Sequence, residues 1–189
     1  RNMARSMSAI DPNFKRLHLA GAGMWFGLES ARETEKVVQA FSHLDSFGEA
    51  YAYEGYGFSR TLFHYNTNPD MLNAGSLFRL PAAHNFYHGA GRALWILKGD
   101  DVKAFSAVVN SIPKKYQDDA YSGYGMGVAF TKLDDPRLVF SFLERSVIPV
   151  RAPRGGVVHP TVWVLRYQQP APAGQAAEPG RVWSASGHT

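Results

Sequence analysis

Cysteine is missing from the chain, which removes disulfide frameworks, thiolate zinc sites, covalently attached haem and cysteine nucleophiles together. Long apolar runs are missing too. The uncharged stretches are short and glycine-rich, far from the ~20 apolar residues needed to cross a bilayer. No transmembrane segment is therefore expected, while peripheral association with a membrane complex stays open. Charge of one sign is scarce: twenty basic against sixteen acidic residues leave a formal +4, and Lys15-Arg16 and Lys114-Lys115 are the only adjacent basic pairs. A nucleic-acid binder concentrates its positive excess on one stripe, so no nucleic-acid partner is expected. No serine nucleophile elbow, zincin helix, phosphate loop or aspartate-rich magnesium motif occurs. The reading leans away from an enzyme and names no catalytic residue, metal or cofactor. The first residue is Arg1 rather than Met, which leaves the compartment unassigned and an exported form open.

What is present is a repeat. The 189 residues, 45% of them hydrophobic and 13% aromatic, are enough to bury a core. Four Gly-x-Gly triplets, Gly21-Ala22-Gly23, Gly55-Tyr56-Gly57, Gly89-Ala90-Gly91 and Gly123-Tyr124-Gly125, follow one another at intervals of 34 residues. Leu28, Leu62, Ile96 and Phe130 share one phase of that interval, and Phe26, Leu94 and Val128 share another, which Arg60 interrupts. Each unit reads as two helices, the first carrying the glycines and the second following a capped turn. Ser30-Ala31-Arg32-Glu33 is a capping box before Val37, Val38, Phe41 and Leu44. Asn68-Pro69-Asp70 sets a cap and an N1 proline before Met71, Leu72 and Phe78. Gly99 closes the third glycine helix, and Asp100 or Asp101 opens the helix holding Val102, Phe105, Val108 and Val109. Asp135-Pro136 repeats the device before Leu138, Val139, Phe142 and Leu143.

Glycine costs a helix interior about 1 kcal/mol relative to alanine, so eight of them need a reason. Residues two apart on a helix point roughly 200° apart around its axis. Each triplet therefore thins two opposite flanks of one helix, as an inner helix pressed between two neighbours requires. Dinucleotide binding is excluded, because a third glycine would have to stand where Phe26, Arg60, Leu94 and Val128 do. The fold expected is all-α: an α-solenoid of four helix-turn-helix repeats with a 34-residue period over residues 1–149. An irregular cap over 150–167 follows, with a β-prone Thr161-Val162-Trp163-Val164 run as its competing reading. Residues 168–189, rich in proline, alanine and glycine, form an extended tail.

Four segments carry a family resemblance: His18-Leu19-Ala20-Gly21-Ala22-Gly23-Met24-Trp25, Glu54-Gly55-Tyr56-Gly57-Phe58, His88-Gly89-Ala90-Gly91-Arg92-Ala93-Leu94-Trp95 and Ser122-Gly123-Tyr124-Gly125-Met126. In order and spacing they resemble the DUF1702 proteins, known chiefly from bacterial natural-product gene clusters, including enediyne ones. The likeness covers about residues 10 to 150 and matches the later part of a generally longer family pattern. Glu54 stands where the family pattern has aspartate, and His88 where it has glutamine. The family has no settled biochemical role, so the resemblance implies a fold more than a function.

The residue before each triplet, Ala20, Glu54, His88 or Ser122, occupies one phase, and Met24, Phe58, Arg92 and Met126 follow one turn later. Stacked, these residues line a ridge. Glu54, His88 and Arg92, with Tyr56 and Tyr124, are the candidate ligand-binding residues; the plainer alternative is a Glu54–His88 or Glu54–Arg92 bond that holds adjacent repeats in register. His84 and His88 share a helix face but have no third ligand nearby in sequence, so no metal site is expected. Asp100-Asp101, Asp118-Asp119 and Asp134-Asp135 sit where helices begin, which favours capping over acid–base chemistry. Tyr51, Tyr53, Tyr56, Tyr87, Tyr121 and Tyr124 suit either packing or an aromatic wall for a hydrophobic ligand. The function expected is a non-catalytic scaffold or accessory subunit that meets a protein partner, or further copies of itself, partly through residues 150–189. The alternative is an enzyme or small-molecule binder of natural-product biosynthesis.

Overall fold

The computed structural model describes residues 10–11, 14–29 and 34–132, and these are helical without a strand. Four longer helices carry the glycine triplets: α1 (Lys15–Glu29), α3 (Ser46–His64), α4 (Ala82–Lys98) and α6 (Gln117–Thr131). Between them lie α2 (Thr34–Phe41), a 3-10 segment (Pro69–Leu77), α5 (Val102–Ser111) and a short 3-10 turn (Lys114–Tyr116). The Ser30–Glu33 capping box, the helix expected after Asp135-Pro136, the cap and the tail lie outside the described residues.

Contacts between consecutive glycine helices dominate the structure: α1 on α3, α3 on α4, and α4 on α6. The triplets explain why. The carbonyl oxygens of Ala20, Glu54 and His88 occupy the space where a Cβ on Gly55, Gly89 and Gly123 would stand. The carbonyl oxygens of Ala52, Phe86 and Ala120 occupy the same space beside Gly23, Gly57 and Gly91. The first glycine of a triplet thus meets the helix before it and the second meets the helix after it. Backbones approach this closely only where side chains are absent, and the approach brings Cα–H groups onto carbonyl oxygens. Two further glycines extend the contacts: Gly27 faces Ser59, and Gly127 faces the indole of Trp95.

These helices run parallel. At one end of the α1–α3 pair Lys15 lies 3.5 Å from Asp45, and at the other Gly27 meets Ser59. In the α4–α6 pair, His84 meets Asp119 at the start and Trp95 Nε1 donates to Thr131 Oγ1 at the end, at 2.7 Å. A parallel pair needs a return connection, and the shorter elements supply it as a second layer: α2 packs on α3, the 3-10 segment on α3 and α4, and α5 on α4 and α6.

Local caps set the element ends. Asp45 Oδ1 accepts from the Gly48 N–H at 2.6 Å and opens α3. Gly99, at φ 58°, closes α4 in a backbone conformation that only glycine adopts cheaply. Of the two candidate aspartates, Asp101 is the one that caps α5, accepting from Ala104 N–H at 2.9 Å. The second element of the second unit departs from expectation. Pro69–Leu77 is a 3-10 segment instead of an α-helix, and the Asn68 side chain makes no capping bond. Its Gly75 sits against the rings of Phe86 and Tyr87, so tight packing on α4 holds this stretch.

The core between the layers is aromatic. Phe26, Phe41, Tyr53, Phe78, Phe86, Tyr87 and Tyr116 form a chain of ring contacts, each centroid within 5.6 Å of the next. A second group joins Trp95, Tyr124, Phe105 and Tyr121. Most contacts are edge-to-face or tilted, as ring quadrupoles prefer.

Candidate functional site

The middle residue of each triplet points about 100° from both of its glycines. Since the glycines face the neighbouring helices, the middle residue faces the second layer. Tyr56 and Tyr124 occupy that position and are buried. Tyr56 touches Phe78 and Phe86. Tyr124 stacks on Phe105 at 3.7 Å, and its hydroxyl donates to the Gly99 carbonyl at 2.6 Å. Tyr87 donates likewise to Leu72 O at 2.9 Å. Burial raises the hydroxyls of Tyr53 and Tyr87 to about 12 and also raises that of Tyr124, so these phenols stay protonated. They are packing groups that join the two layers.

The residue before each triplet lies about 200° from the middle one, on the other side of the helix. Glu54 is there, nearly buried. His88 Nδ1 of α4 stands 3.4 Å from Glu54 Oε1, and Arg92 Nη1 stands 3.0 Å from the same oxygen. Arg92 also lays its guanidinium over the Phe58 ring, 4.7 Å from the centroid. Glu54, His88 and Arg92 therefore come together across the α3–α4 boundary, as their phase implies. Tyr56 and Tyr124 do not join them: they point into the aromatic core.

A second ionic contact was not foreseen from the sequence. His84 Nδ1 meets Asp119 Oδ2 at 2.6 Å across the α4–α6 boundary, with the His84 ring edge-on to Tyr116. Burial pushes the Asp119 carboxyl above the ordinary carboxylate range, opposed by its hydrogen bond to His84. Asp119 thus serves an interhelical bond within the first turn of α6. The separation of 35 between His84 and Asp119 is also that between Ala20 and Gly55, and it was the one signal available. Arg79 grips Glu49 through two bonds of 2.8 and 3.0 Å, an exposed pair of small energetic weight. Among the described residues, no group of three or more His, Asp or Glu side chains is placed to hold a metal ion, and no helix is long and apolar enough to cross a membrane.

The charged cluster can do two things chemically. It can lock α4 against α3 through a shared carboxylate, and it can offer nitrogen donors to an acceptor. Within the described residues, Arg92 Nε is buried and makes no hydrogen bond.

Comparison with known proteins returned one family match: the model of a family of unknown function, DUF1702, covers residues 4–145. No curated protein matches the chain, and no solved structure does.

Proposed function

We propose that this chain, which belongs to the DUF1702 family, is a non-catalytic helical-repeat scaffold that binds another protein. The architecture in this reading is an α-solenoid of four helix-turn-helix units with a 34-residue period. Its support is the register of the glycine contacts. Gly55 on Ala20, Gly89 on Glu54 and Gly123 on His88 repeat one separation, and Gly23 on Ala52, Gly57 on Phe86 and Gly91 on Ala120 repeat another.

The binding surface follows from parallel helices in register. Leu28, Ile96 and Phe130 hold the same position of the repeat and are exposed, and Phe63 is exposed beside the half-buried Leu62. This ridge of large apolar side chains at the helix ends is the observation that carries the proposal, since such exposed patches mark interaction sites. Stacked helical units present extended surfaces of this kind to proteins.

The test places a photo-crosslinking amino acid at Ile96 or Phe130 in the native host. The expected result is a discrete crosslinked heteromer at both positions, lost when Phe63→Asp is added. Absence of any product from a chain with unchanged circular dichroism overturns the proposal.

A second reading, a small-molecule site at Glu54, His88 and Arg92, is favoured by the spare buried donor on Arg92. Its chemistry calls for an anionic or acceptor-rich ligand. Thermal shift with inorganic phosphate and with short-chain carboxylates tests it, and no shift removes it.

A further inference from the structure

One column of the repeat is apolar except at a single member. Phe26, Leu94 and Val128 share it: Leu94 and Val128 are buried, and Phe26 packs on the core. The remaining member is Arg60, which keeps only 8% of its surface exposed. It lies close enough to Tyr56 to oppose the rise that burial imposes on that phenol. Arg60 Nε is buried without a hydrogen bond, and among the described residues no carboxylate pairs with the guanidinium. A guanidinium taken out of water without an acceptor is costly, because it keeps its charge and its five N–H donors. Complementing the dipole at the end of α3 does not call for burial, since exposed cations do that as well.

Two polar atoms beside it are in the same condition. Thr61 is fully buried and its Oγ1 has no hydrogen-bond partner among the described residues, nor has the buried Nε2 of His64. Around the helix Arg60, Thr61 and His64 fall about 60°, 40° and 20° from Gly57, whose missing side chain faces α4. They therefore share the flank of α3 that meets α4. The neighbouring pair of helices shows how such a position is otherwise satisfied. Trp95, which is to α4 what Thr61 is to α3, donates to Thr131 of α6. The equivalent of Thr131 on α4 is Leu97, which offers no acceptor. Lys98 of α4 adds positive charge at the same helix ends, its Nζ lying over the Tyr65 ring at 5.2 Å.

We propose that Arg60, Thr61 and His64 bind an oxyanion, the carboxylate or phosphate of a small molecule, between the C-terminal halves of α3 and α4. The planar guanidinium fork matches either group through two parallel bonds. The Thr61 hydroxyl donates a further bond, and so does His64 Nε2 in the tautomer that carries its proton there. The donors that the fold leaves open are then used, and the ligand supplies the counter-charge that the apolar layer lacks. The site is separate from the Glu54 cluster, since Arg60 lies about 120° around α3 from Glu54 and roughly 9 Å along it. It depends on neither function proposed above: the scaffold reading rests on Phe63, Ile96 and Phe130, and the second reading on Arg92. An unpaired buried cation lowers the stability of the ligand-free protein, a cost that binding sites commonly carry.

Thermal unfolding of the full chain in inorganic phosphate, acetate or chloride, at equal ionic strength, tests this. The expected result is a melting temperature several degrees higher in phosphate or acetate than in chloride, since a ligand of the folded state stabilises it. The larger of the two rises tells a phosphate ligand from a carboxylate one. Arg60→Met should abolish the rise and, in chloride, melt above the parent, because an apolar side chain replaces an unpaired buried charge. Thr61→Val, which keeps the shape and removes the hydroxyl, should weaken anion binding about tenfold. Arg92→Met should leave the response intact, which separates this site from the one at Glu54. The absence of a rise with both anions overturns the proposal. So does a full rise in Arg60→Met, an Arg60→Met chain less stable than the parent in chloride, or unchanged affinity in Thr61→Val.

Discussion

Single carboxylates in this chain act with opposite signs of pH dependence. Asp45 caps α3, and its bond to the Gly48 N–H lowers the carboxyl below its ordinary value, against a smaller cost of burial. A lowered folded-state value adds stability that is present above the unfolded value and lost as pH falls through the folded one. Asp45→Ala should therefore cost about 1 kcal/mol near neutral pH, with the difference shrinking in acid; urea titrations at the two pH values measure it. Asp119 is the reverse case. Burial raises its carboxyl in the folded state, so the folded protein holds that proton more tightly than the unfolded chain. Its contribution to stability is greatest below the ordinary carboxylate value and is lost as pH rises through the raised one. Asp119→Asn, which keeps a side-chain oxygen for His84, should gain stability relative to the parent as pH rises through that window. A difference that does not change with pH would contradict the assignment. The sequence showed Asp118 and Asp119 only as acidic residues at a helix start, because residue type alone does not reveal a partner on another helix.

At the scale of elements, the Glu54–His88–Arg92 cluster joins α3 to α4. Removing one partner of a nearly buried ion pair leaves the other charge desolvated without compensation. Glu54→Gln should cost on the order of 3 kcal/mol, and a double-mutant cycle with Arg92→Met should show coupling of about 1 kcal/mol or more. Denaturation midpoints check both, and additive losses would mean that the two residues act separately. This cluster was legible because Glu54 and His88 share a phase and Arg92 lies one turn beyond His88. Tyr56 and Tyr124 were grouped with it as aromatic residues at the starts of the glycine helices, but each lies two residues after the ridge position, and residues two apart on a helix face opposite ways. The Pro69–Leu77 segment was misread for a different reason. A capping residue followed by proline starts a 3-10 turn as readily as an α-turn, and packing of Gly75 under Phe86 and Tyr87 is a tertiary effect.

For the whole molecule, the glycine spacing foretold which helices pack on one another, and the physical reason given for it holds on both flanks at Gly55-Tyr56-Gly57 and Gly89-Ala90-Gly91 and on one flank at Gly23 and Gly123. In those two central triplets, opposite flanks are thinned, one for each neighbour. The sequence did not show that the four helices run parallel, since spacing is the same in either direction. Nor did it show that Gly27 and Gly127 extend the contacts, because Ser59 and Ala93 hold the equivalent positions of Gly127 in the intervening helices. The central claim is that carbonyl oxygens fill the missing side-chain positions of six glycines and that, among the described residues, none fills that of Gly21. An alanine scan of Gly21, Gly23, Gly55, Gly57, Gly89, Gly91 and Gly123, read by chemical denaturation of dilute protein, tests it most directly. The account predicts losses of about 1–3 kcal/mol or more at the six, and at Gly21 a gain of up to about 1 kcal/mol from helix propensity. Six neutral substitutions, or a loss at Gly21 equal to the others, would contradict it.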